Sequence, residues 1–168
     1  MRWLESVRTV TPEAAIAFRL LLAAALGAVI GLEREYKARP AGLRTHMLTA
    51  LAAAVFTLLT FELLHDTRKE DASGPADPIR VIEAVTAGVA FLAAGAIIQA
   101  RGQVRGLTTG AAMWLAGAVG VACGGGYYSI AMMAAVLAVL ILSVLSYLER
   151  RIEARNGPSR PTEREHRD

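Results

Sequence analysis

Five apolar stretches of near-spanning length, Ala14–Leu32, Thr45–Leu64, Val81–Ala100, Leu107–Gly124 and Tyr127–Leu148, make up most of this 168-residue chain. A hydrocarbon core about 30 Å thick takes roughly 20 helical residues to cross. The last two stretches contain no charged residue, whereas a soluble bundle repeats charge every three or four residues along the solvent side of each helix. The pattern therefore argues against a soluble fold. It predicts an all-α, polytopic membrane helix bundle of about five transmembrane helices.

The charged fifth of the chain lies between these stretches, where it sets topology. Lys and Arg number four in 33–44, two in 101–106 and six beyond Leu148, against five on the other side, three of which share a loop with Asp66, Glu70, Asp71 and Asp77. Positive-inside bias then places the N-terminus outside and the C-terminus in the cytoplasm. The formal charge of +3 reads as topology and not as a nucleic-acid surface. The lone Cys123 has no disulfide or metal-ligand partner in sequence. The basic cluster Arg34, Lys37, Arg39 and Arg44 follows the first stretch, the reverse of a secretory signal, so that helix is expected to be retained.

Three segments follow. Residues 1–12, with Trp3, Leu4, Val7 and Val10 at helical spacing, suit an interfacial piece or a frayed end. Residues 13–148 form the transmembrane domain, and the polar residues 149–168 a disordered cytoplasmic tail. Thr11-Pro12-Glu13 and Asp77-Pro78 each place a capping side chain before a proline at a helix start. Tyr127, Tyr128 and Tyr147 fall at interface depth as anchors, and Trp114 lies deeper, for packing or lipid contact. Gly27 and Gly31, and Ala116, Gly120 and Gly124, allow close helix approach. At an offset of 64, residues 42–54 line up with 106–118 through shared Gly, Leu, Thr, Leu, Ala and Ala, with Gly31 meeting Gly95 and Lys37 meeting Arg101. This suggests a parallel repeat of two helical hairpins, an arrangement whose cleft is a substrate site in transporters.

Ionisable residues inside spans are functional candidates: Arg19, His46 and Glu83. Arg19 and Glu83 lie at similar depth and are placed to pair across the bundle, with Arg80 and the headgroups as their local alternatives. The densest polar group is Glu33, Arg34, Glu35, Lys37, Arg39 and Arg44, with Pro40 and Gly42 shaping a turn before Thr45 and His46. A helix start flanked by Arg39 and Arg44 suits an anion; the plain alternative is a topology signal, which leaves Glu33 and Glu35 unexplained. Signatures of hydrolases, P-loop enzymes and zinc sites are missing, so the chain is read as no enzyme, with no cofactor.

Gly31-Leu32-Glu33-Arg34-Glu35 followed by Arg39-Pro40-Ala41-Gly42-Leu43-Arg44-Thr45-His46 resembles the signature of the MgtC/SapB membrane proteins. Phe91–Ile98 and Arg105–Trp114 are similar to the family's second block, and the resemblance covers residues 14–148. It implies a bacterial inner-membrane protein tied to growth in low magnesium and, in pathogens, to survival inside host cells. Better-studied members act as regulators through other membrane proteins, including ATP synthase and P-type ATPases. The functional positions it implies are Glu33, Arg34, Arg39, Gly42, Arg44, Thr45 and His46, with Gly95, Gly106 and Thr109 from the second block. The chain resembles the short SapB-type members, without the soluble ACT-like domain that follows the last helix of MgtC proper. Expected partners are membrane lipid, other membrane proteins such as ATPases, and a second copy of the chain as homo-oligomer. A small magnesium or proton transporter or channel is the alternative reading.

Overall fold

The computed structural model describes residues 9–69, 78–100 and 103–156. Five helices follow one another: α1 (Glu13–Tyr36), α2 (Leu43–Lys69), α3 (Pro78–Ala96), α4 (Leu107–Gly124) and α5 (Tyr128–Asn156). All five are long and apolar enough to cross a membrane. Large apolar side chains such as Leu21, Phe91, Trp114 and Leu137 cover the outside of the bundle, an arrangement stable only where lipid replaces water.

Helix α4 is the hub, in contact with α1, α2, α3 and α5. More than half of its span is buried, against a third or less for each of the others. Lipid tails are as apolar as the helices themselves, so close backbone approach must supply what burial does not. The small residues expected to permit this do so. A Cβ on Gly124 would lie 2.6 Å from the Ala54 carbonyl, one on Gly120 would collide with that of Ala50, and Ala116 is fully buried.

Three boundaries differ from expectation. The third span ends at Ala96, and Ile98–Ala100 (β1) pairs antiparallel with Gln103–Arg105 (β2), Ile98 opposite Arg105. Residues 98–100, expected at the end of that span, thus form one strand of a two-stranded antiparallel pair. The adjacent β-branched Ile97 and Ile98, with Val104 on the partner strand opposite Gln99, favour extended backbone. Helix α5 runs to Asn156, so the tail expected to be disordered from 149 begins as helix. Extension of an existing helix needs no new nucleus, and Ala, Glu and Arg are good helix formers. Finally, α1 begins at Glu13 with Pro12 as N-cap and no side-chain cap; the Thr11 hydroxyl donates instead to Glu62. Pro78 opens α3 as expected, whereas Asp77 and residues 1–8 lie outside the described residues.

The two hairpins share one register: α2 and α4 start at Leu43 and Leu107, each after a glycine. Elsewhere they diverge. Gly31 is pressed against Leu43 and His46, while a Cβ on Gly95 would meet nothing within 4 Å.

Candidate functional site at the turn between α1 and α2

Helix α1 ends in a Schellman motif. The Arg39 N–H donates to the Arg34 carbonyl at 3.1 Å, and the Ala38 N–H donates to that of Glu35 at 3.0 Å. Ala38 therefore has φ +49°, a left-handed conformation that favours glycine. Beyond Pro40, the Leu43 N–H at the start of α2 donates to Glu35 Oε2 at 3.0 Å. A carboxylate there satisfies an orphan amide and complements the helix dipole. Gly42 is required by the same contact, because a Cβ would occupy the position of the Glu35 carboxylate.

Inward from this turn lies a buried ionic cluster. Glu33 Oε2 accepts from Arg34 Nε at 2.9 Å, and Glu33 Oε1 pairs with the Lys37 ammonium. Lys37 also donates to the Leu142 carbonyl of α5 at 3.2 Å, which ties the cluster to the last span. Arg34 is 1% exposed and His46 0%. Gly27 and Gly31 seat His46 against α1: a Cβ on Gly27 would lie 2.6 Å from its carbonyl, one on Gly31 2.9 Å from its Cβ. His46 Nδ1 bonds the Gly42 carbonyl at 2.8 Å, while His46 Nε2 and Arg34 Nη1 have no hydrogen-bond partner among the described residues. His46 lies within electrostatic range of Arg34 and Glu33.

Of the residues singled out from sequence, Glu33, Arg34, Gly42 and His46 come together here. Arg39 and Arg44 stand exposed on the turn. Thr45 accepts the Thr49 hydroxyl through its carbonyl at 2.8 Å. Thr109 is buried in α4, and Gly106 needs its φ of +90° at the start of that helix. Gly95 has open space around it.

The intramembrane pair expected between Arg19 and Glu83 does not form. Arg19 Nη1 donates to the Gly124 carbonyl at 2.9 Å and Nε to the Tyr128 hydroxyl at 3.3 Å, while Glu83 is exposed on α3. The free carbonyls at the end of α4 attract a cation, and they lie beside α1 where α3 does not. Tyr128, read as an interface anchor, is a structural partner that also packs edge-on against Phe18.

Sequence reading missed Glu62. Its Oε1 accepts from the Thr11 N–H at 3.0 Å and its Oε2 from the Val10 N–H at 2.6 Å. Glu35 and Glu62 thus perform matching tasks at opposite ends of the α1–α2 pair, each serving the start of the other helix. For Glu62 the signal is a lone acid near the end of an apolar span. Among the described residues, no three His, Cys, Asp or Glu side chains cluster to hold a metal ion.

These features define a multi-pass membrane protein in which two antiparallel helices are joined by a carboxylate-stapled turn over a buried charged cluster. The chain belongs to the MgtC family, which it matches over residues 20–151. It is 36% identical over 138 residues to YhiD from Escherichia coli K12, covering 82% of this chain and 64% of that protein. To MgtC from Brucella abortus it is 38% identical over 140 residues, 82% of this chain and 55% of that protein. To SrpB from Synechococcus elongatus it is 36% identical over 143 residues, 80% and 77%. The chain thus spans less than two thirds of YhiD and little more than half of MgtC. No solved structure matches it.

Proposed function

We propose that this chain is a non-catalytic regulator in the bacterial inner membrane, N-terminus outside, whose α1–α2 turn faces the cytoplasm and engages an anionic headgroup or an acidic segment of another membrane protein. One observation carries the reading: the turn holding the exposed Arg39 and Arg44 is fixed by the Glu35–Leu43 bond and the Schellman motif. A preformed turn loses little freedom on binding, and two exposed guanidiniums suit an anion. Beneath it, Glu33 bridges Arg34 and Lys37 through two ion pairs, and fixed pairing of this kind suits a foundation better than a passage. Magnesium or acid stress is the setting that family membership supports.

The test is a double variant, Arg39→Ala with Arg44→Ala, in a host whose low-magnesium growth requires this protein. Growth should fail while membrane abundance stays at the parental level. Full growth would reduce the turn to a topology signal.

A second reading, a small magnesium or proton transporter, is favoured by buried polar atoms of Arg34 and His46, Nη1 and Nε2, that have no hydrogen-bond partner among the described residues, since such groups within spans mark ion paths. The name given to YhiD proposes magnesium transport for that relative. This reading predicts flux that depends on His46.

A further inference from the structure

A groove of about 600 Å³ runs between α1 and α5 at the end of the bundle that carries the turn. Its walls change character with depth. Val29 and Val139 lie seven and eight residues before Tyr36 and Tyr147, so at 1.5 Å per residue they sit about 10 Å deeper in the membrane. Lys37, its ion-pair partner Glu33 and the Ser143 and Ser146 side chains line the groove near the tyrosines. Arg151 lies over the Tyr147 ring, 5.2 Å from its centre, which holds a second cation beside the mouth. Lys37 directs two of its three donors to Glu33 and Leu142, leaving one.

We propose that this groove binds one anionic glycerophospholipid of the adjacent leaflet, with an acyl chain along Val29, Leu32 and Val139 and its phosphate between Lys37 and Arg151. The apolar floor, aromatic belt and basic mouth follow the order of a phospholipid's own parts. A partner helix would instead bury the basic mouth against apolar side chains. The bound lipid would lie against the Glu33–Lys37–Leu142 link and so couple α5 to the turn. The site rests on the membrane fold alone and stands apart from the regulatory reading.

The experiment is native mass spectrometry of the full chain in detergent, with dioleoyl-phosphatidylglycerol or dioleoyl-phosphatidylcholine added at matched ratios. Phosphatidylglycerol should be retained about fivefold more than phosphatidylcholine, and Arg151→Gln should remove most of that preference. Val139→Trp, which fills the floor, should remove the bound lipid; Leu32→Trp on the exposed opposite wall does the same where Val139→Trp lowers helix content by circular dichroism. Glycerol phosphate alone should leave no adduct, because the acyl chain supplies most of the contact. Equal retention of the two lipids, undiminished lipid in correctly folded groove-filled variants, or an adduct of glycerol phosphate alone would each overturn the proposal.

Discussion

Glu33 pairs with two cations at once, and that sets the consequences of changing it. Glu33→Ala leaves the buried Arg34 without its counter-charge, a loss of about 3–5 kcal/mol for a buried pair broken from one side. Arg44→Ala removes an exposed guanidinium and should change stability by less than about 0.5 kcal/mol. Reversible unfolding in mixed detergent micelles measures both, and comparable losses for the two would contradict the cluster described here. Ala38 permits a test of opposite sign. Glycine relieves the left-handed strain, so Ala38→Gly should raise stability by up to about 1 kcal/mol in the same assay. At Gly42 any side chain displaces Glu35 from the start of α2, so Gly42→Ala should destabilise the protein.

The central helix α4 depends on glycine where it crosses α2. Gly120→Val inserts bulk against the Ala50 backbone, and overpacking of this kind costs about 1–3 kcal/mol or more. Gly95→Ala in α3 enters open space and should raise stability by up to about 1 kcal/mol through helix propensity. Both glycines stand in apolar, small-residue surroundings, yet thermal denaturation in detergent should separate them clearly. Their difference was not legible in the sequence, because spacing identifies a small residue but not the backbone that crosses it. The same limit hid the partner of Arg19. Two opposite charges at similar depth suggested Glu83, whereas a helix end offers carbonyl acceptors that leave no trace in residue type. The strand pair 98–100 and 103–105 was missed for a related reason: Ile97 and Ile98 continue an apolar run, and hydropathy does not distinguish a helix from a short strand.

Across the whole molecule, hydropathy alone located five spans, since lipid requires every backbone group to be satisfied within helices or closed barrels. Spacing also placed the turn correctly between α1 and α2, and motif resemblance pointed to Glu33, Arg34, Gly42 and His46. The Leu142 carbonyl that accepts from Lys37, and the task of Glu62 at the start of α1, depend on which helices are neighbours, which one sequence does not encode locally. The regulatory reading proposed above rests on a rigid turn whose underlying Arg34 and Lys37 are both ion-paired to Glu33. The most direct measurement is magnesium and proton flux in proteoliposomes that contain only this purified chain, beside empty vesicles and vesicles with the His46→Ala variant. The regulatory account predicts flux indistinguishable from empty vesicles for both chains. Flux above that background, lost in the His46→Ala variant, would contradict it and make the chain a transporter.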